Sequence, residues 1–139
     1  MDLLKNYFKK VPEKDRKKEV IAYLSAIDAI SIDNPVIANA IISELKDQRS
    51  YVKLIASENF SSLKVQLAMG NLLTDKYSEG IVGRRFYAGC ENVDTVEEEA
   101  VLFAKKIFNA ENAYVQPHSG ADANMVALWA IICQKVQNK

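Results

Sequence analysis

The sequence predicts an α/β chain that is helical over most of its length, and three observations predict it. Apolar residues recur at helical spacing through residues 1–50, 63–73 and 125–136. Two short apolar stretches read differently: Tyr51 to Ile55 as a strand or extended segment, and Ala113 to Val115 as a short buried strand. Between them lies a loop, Lys76 to Glu91, that follows neither period and holds three of the five glycines.

In chain order, Leu3, Leu4, Tyr7, Phe8 and Val11 share one helical face, and Pro12 ends that run. Lys14 to Glu19 is a charge cluster, expected to be a solvated face. Val20, Ile21, Leu24, Ile27 and Ile30 resume the helical period. Asn34-Pro35 marks a new helix start, with Asn34 as N-cap and Pro35 at the first helical position. Val36, Ile37, Ala40, Ile41 and Leu45 form its stripe. Ser61 and Ser62 are expected to cap the helix beginning at Leu63, and Gly70 marks close packing or a helix end.

The loop contains adjacent Arg84 and Arg85, two tyrosines and two glutamates. Glycine at this density lets backbone approach a ligand closely. Disordered segments avoid aromatic residues, and this one has three, so it reads as an ordered binding loop. Beyond it, Asp94 and Glu97 have the spacing of a capping box. Val101, Leu102, Lys105 and Phe108 continue a helix that ends at Asn109, a residue suited to a left-handed C-cap. Gln116 to Asn124 then forms a small-residue turn before an apolar helix, Met125 to Val136. A strand, such a turn and a helix N-terminus make an anion site, because free N–H groups and the helix dipole point into the turn.

Composition bounds the function classes. With 18 basic and 18 acidic residues in 139, no general nucleic-acid or membrane surface is expected. No apolar run is long enough to span a bilayer. Cys90 and Cys133 fit free thiols of a reducing compartment and form no metal or disulfide pattern.

Four collinear motifs narrow the reading. Leu54-Ile55-Ala56-Ser57-Glu58-Asn59-Phe60, Thr74-Asp75-Lys76-Tyr77-Ser78-Glu79-Gly80, Gly83-Arg84-Arg85-Phe86-Tyr87-Ala88-Gly89-Cys90-Glu91 and the stretch Val115 to Asn124 together resemble serine hydroxymethyltransferase. The resemblance runs from Leu54 to about Asn124. It implies a cytoplasmic pyridoxal 5′-phosphate enzyme that converts serine and tetrahydrofolate to glycine and methylene-tetrahydrofolate. It implies the type I aminotransferase fold and a homodimer in which two subunits build each site. Residues 1–50 would be a helical N-terminal extension, and 51–139 the first, incomplete part of the cofactor-binding large domain.

Roles follow from the same resemblance. Ser119, Gly120 and Ala121 would hold the cofactor phosphate, and Tyr77 would reach the phosphate in the partner's site. Ser57 would meet the substrate carboxylate. Glu79 would transfer protons, and Tyr87 would sit against substrate and cofactor. No metal is implied. His118, the only histidine, lies in the phosphate motif and is not the family's ring-stacking base. Independently of family, a carboxyl at Glu79 that is partly out of water beside aromatics can exchange protons near neutral pH. Arg84 and Arg85 have two readings: solvated side chains, or one of them holding a loop carboxylate or a folate tail through bidentate hydrogen bonds. Phe86, Tyr87 and Trp129 have an alternative as core residues, and Trp129 is expected there.

The chain departs from the family pattern at Ala121, where a hydroxyl is usual, and at Phe86, where Tyr is usual. It also departs at Ile81-Val82, in place of an aromatic-Pro pair, and at Asn109, in place of Gly. The family's Schiff-base lysine belongs to a T-T-T-H-K-T motif that these 139 residues do not contain. The expectation is therefore an N-terminal fragment without hydroxymethyltransferase activity. A non-catalytic helical interaction or dimerisation module from an interrupted gene is the alternative.

Overall fold

The computed structural model describes residues 1–137; Lys139, a lysine that stands in no T-T-T-H-K-T motif, lies outside the described residues. The chain divides into two units, Met1–Thr74 and Asp75–Lys139.

The first unit is built on α2 (Lys18–Asp33), which packs against α1 (Leu3–Lys10), α3 (Pro35–Ser50) and α4 (Leu63–Met69). Its centre is Ile27 on α2 and Ala38 on α3, 2% and 0% exposed. Asp28 of α2 caps α1: its two carboxylate oxygens accept the amides of Leu3 and Leu4, each at 2.9 Å. Asn34 caps α3 as expected, accepting from the amides of Val36 and Ile37 with Pro35 at the first helical position. Ser62 caps α4 by accepting from Val65 N. That helix stops at Gly70, sooner than its apolar run suggested, and a 3-10 turn follows over Leu72–Asp75. A Cβ on Gly70 would meet nothing, so this glycine marks a helix end rather than close packing.

One charge in the expected solvated cluster is not free. Arg16 lies 4.7 Å over the Phe8 ring and donates to the carbonyls of Val11 and Phe8. It thereby closes the carbonyl end of α1, which Pro12 cannot continue.

The second unit opens with a hairpin. β1 (Gly80–Ile81) pairs antiparallel with β2 (Arg84–Arg85), Gly80 facing Arg85 and Ile81 facing Arg84. Gly83 at the turn has φ +70°, a region that L side chains enter at a cost. Gly80 is more constrained still, with φ +111° and the Arg84 carbonyl oxygen where a Cβ would stand. α5 (Glu91–Phe108) follows and ends at Asn109 in the left-handed region, φ 49°. α6 (Gly120–Ile132) continues into a π-helical turn over Cys133–Gln137.

Two expectations are corrected here. Ala113 to Val115 forms no ladder and is not buried, since no described strand lies beside it to take its backbone groups. Trp129 is 69% exposed rather than core. From Met125 onward α6 is apolar on every side, and no described layer covers it there. The chain is mostly helical, as expected.

Candidate functional site

The loop expected to bind is ordered, and one side chain orders it. Arg85 of β2 is 6% exposed at its side chain. Its Nε donates to Asp94 Oδ1 at 2.7 Å, and one terminal nitrogen donates to Glu97 Oε2. The other terminal nitrogen donates to the carbonyls of Ser78, at 2.8 Å, and Gly80, at 3.0 Å. Asp94 Oδ2 accepts from Gly83 N at 3.1 Å, so one carboxylate holds both the turn and the arginine. The Glu79 carbonyl accepts from Phe86 N at 3.0 Å. Gln116 adds a bond from Nε2 to the Gly80 carbonyl at 2.8 Å.

Asp94 and Glu97 are thus not a capping box. α5 begins three residues before Asp94, and the pair, one turn apart on one helix face, is claimed by Arg85. The electrostatics agree. Hydrogen bonding from Arg85, then from the Gly83 amide, holds the Asp94 carboxyl below the usual carboxylate range. Glu97 and then Asp94 push Arg85 above the ordinary guanidinium range. Gln116, Asp94 and Glu97 are the residues that sequence reasoning missed as parts of this site. The available signal was the combination of adjacent arginines with a same-face acidic pair nine and twelve residues on.

The site residues of this unit fall in two places. Tyr77 and Tyr87 form an edge-to-face pair with ring centroids 5.4 Å apart, Glu79 lying between them in sequence. Both rings are largely exposed, as is Phe86, so none of the three is core. Tyr77, Glu79, Arg85, Glu97, Gln116 and His118 are among the residues lining a cavity of about 820 Å³, with Val93, Val96 and Ala100 as its apolar wall. The Glu79 side chain is exposed, so the removal from water expected of it is not supplied by the described residues. Cys90, 3% exposed, sets its thiol toward the Tyr77 carbonyl at the start of α5.

The second place is the start of α6. Ser119 is its N-cap, and Oγ accepts from Asp122 N at 3.1 Å. Ala123 N bonds the Ser119 carbonyl, whereas no described residue accepts from the amides of Gly120 and Ala121. A Cβ on Gly120 would meet nothing within 4 Å. Two free amides and a hydroxyl at an open helix N-terminus fit a phosphate group. Asp122, in the first turn, adds a carboxylate that such an anion must tolerate.

Ser57 belongs to the first unit, in an exposed turn closed by Glu58 N donating to the Ile55 carbonyl at 3.1 Å. Lys53 braces this turn, its Nζ lying 2.9 Å from Glu44 and 3.7 Å from Glu58. Among the described residues no cluster of side chains has the makings of a metal site, and no helix is long and apolar enough to cross a membrane.

Comparison with known proteins gives this geometry a family. A family model described as serine hydroxymethyltransferase matches residues 30–137. The serine hydroxymethyltransferase of Chlamydia trachomatis is 54% identical over 137 residues, which cover 98% of this chain and 28% of that protein. The one from Treponema pallidum is 59% identical over 117 residues, 84% of this chain and 20% of that protein. The one from Chlamydia abortus is 61% identical over 116 residues, 84% of this chain and 23% of that protein. The chain thus spans between a fifth and three tenths of the length of these relatives, and over that span it belongs to the serine hydroxymethyltransferase family.

Proposed function

We propose that this chain supplies part of a pyridoxal phosphate site for interconverting serine and glycine with tetrahydrofolate as one-carbon acceptor. In this reading residues 51–139 are the first part of a type I large domain, residues 1–50 are its helical extension, and a second copy completes each site in the cytoplasm. The observation that carries the reading is the start of α6, where a capping serine and two unengaged amides form an anion cradle in a chain of this family.

When bound, pyridoxal phosphate supplies the electron sink for bond changes at the amino acid's α-carbon. The residues of this chain hold, orient and move protons. Ser119 Oγ and the amides of Gly120 and Ala121 take the phosphate, with Ala121 giving its N–H but no hydroxyl. Tyr77 reaches a phosphate in the partner's site through its hydroxyl. Ser57 donates to the substrate carboxylate. Glu79 accepts or returns a proton at a carboxylate oxygen once the completed site removes it from water. Tyr87, edge-on to Tyr77, packs beside substrate and cofactor.

The test is a chimera in which this chain replaces the matching stretch of the Chlamydia trachomatis enzyme. Glu79→Gln keeps the side chain's shape and removes its titrating proton. Serine-to-glycine turnover should fall about 100-fold or more while cofactor binding persists. Near-normal turnover would remove Glu79 from the mechanism.

The exposed apolar surface of α6 favours a second reading, a non-catalytic module that associates through its helices. Sequencing the locus past Lys139 separates the two. A T-T-T-H-K-T motif in frame supports the enzyme, and a stop codon supports the module.

A further inference from the structure

The hydrogen bonds of Arg85 fall on either side of Glu79. One terminal nitrogen of the guanidinium takes the carbonyl of Ser78 and the carbonyl of Gly80, the residues directly before and after it. The Glu79 carbonyl itself is taken by Phe86 N across the hairpin. Three consecutive carbonyls are thus fixed, two of them by a side chain 6% exposed and anchored on α5 through Asp94 and Glu97. Glu79 is exposed and makes no side-chain hydrogen bond to any described residue, so its backbone alone sets the direction in which the side chain leaves the loop. Arg84, the neighbouring arginine, is exposed and makes no such bond among the described residues.

We propose that Arg85 is a positioning residue for Glu79, its fork fixing the Ser78–Glu79 and Gly80–Ile81 peptide planes that flank the plane held by Phe86 N, so that the Glu79 side chain leaves the backbone in a set direction before substrate arrives. This rests on the reading of Glu79 as the proton-transfer group. The planar fork is what the role requires. Arg85 gives four of its five N–H donors to four acceptors that lie in different directions, two carboxylates on one side and two carbonyls on the other. A lysine offers the same charge from a single point and cannot span them. Charge compensation of Asp94 and Glu97 would survive Arg85→Lys, whereas the hold on Ser78 and Gly80 would not. The conservative substitution therefore separates positioning from simple ion pairing.

The experiment measures amide protection by NMR on the 139-residue chain and on Arg85→Lys, Arg85→Ala and Arg84→Ala variants. The reporters are the Phe86 amide, which bonds Glu79, and the ring-current shifts of the Tyr77–Tyr87 pair. Both Arg85 variants should lose about tenfold or more protection at Phe86 and lose the ring-current shifts. Amides in the second half of α5 and in α2 should keep their protection, and Arg84→Ala should match the parent chain. Full rescue by Arg85→Lys would reduce Arg85 to charge compensation and overturn the proposal. Protection lost throughout α5 in both Arg85 variants would make it a residue of fold stability and would also overturn it. These readouts do not involve turnover. Near-normal turnover of the Glu79→Gln chimera beside an intact clamp refutes the catalytic reading alone, and a normal clamp in Arg85→Lys refutes this inference alone.

Discussion

Two stretches carry the family's diagnostic residues and are held in opposite ways. The hairpin around Glu79 is fastened by a nearly buried arginine with four acceptors, a carboxylate shared with the turn amide, and a glutamine from a third segment. The turn around Ser57 is fastened by one lysine whose two carboxylate partners are about half exposed, and Leu54, Ile55 and Phe60 beside it are open to solvent. Exposed pairs of this kind contribute little, whereas charge-assisted bonds shielded from water are stronger. Both stretches carry motifs that resemble the family, the hairpin with departures at Ile81-Val82 and Phe86. Only the first carries, within its own unit, the contacts that give it a shape.

Backbone strain breaks that comparison most directly. Gly80→Ala combines φ +111° with a collision against the Arg84 carbonyl, and should cost about 2 kcal/mol. Gly83→Ala meets no atom within 4 Å and pays only for φ +70°, about 1 kcal/mol. Urea unfolding of both variants checks the ranking; equal costs would mean that the turn, and not the close approach at Gly80, limits the hairpin.

Acid provides a milder probe. The Asp94 carboxyl titrates lower in the folded chain than in an unfolded one, chiefly because Arg85 hydrogen-bonds it. The unfolded state therefore takes up the proton first as pH falls. The contribution is complete above the ordinary carboxylate range, about pH 4, and is lost as pH falls through the lower folded value. Hairpin protection factors should stay level from neutral pH to about 5 and fall below about 4. Asp94→Asn should remove that acid step while its amide oxygen can still accept from Gly83. An unchanged acid step in the variant would assign it to another group.

The smallest effect is expected at the other stretch. Lys53→Ala removes the brace on the Ser57 turn, yet thermal stability should barely change, because the partners are solvated. A fall comparable with that of Gly80→Ala would mean that the two stretches are held alike.

What the sequence made legible were features decided by neighbours along the chain. Asn34 before Pro35 and Ser62 each cap a helix start by accepting backbone amides on the side-chain oxygen, and Asn109 ends a helix in the left-handed region. What it concealed depends on distant residues. Asp94 and Glu97 fit a capping box by spacing, and only Arg85, nine residues earlier, reveals that they anchor a hairpin. Asp28 caps a helix that begins 25 residues before it, which no local pattern records. Ala113 to Val115 is composed like a strand, but a strand needs a neighbour to bond, and the described residues provide none. Trp129 follows the same logic, since an apolar helix is core only where another layer covers it.

The central claim concerns what these residues can hold. The start of α6 offers an anion cradle, and none of the lysines lies in the family's cofactor-bonding motif. The direct measurement adds pyridoxal phosphate to the purified 139-residue chain, records the visible spectrum, and maps any borohydride-fixed lysine. The account predicts weak, reversible binding that Ser119→Asp abolishes by placing a negative charge where the phosphate sits, with helix content unchanged. Stoichiometric borohydride-fixed attachment at a single lysine, accompanied by serine turnover, would contradict it.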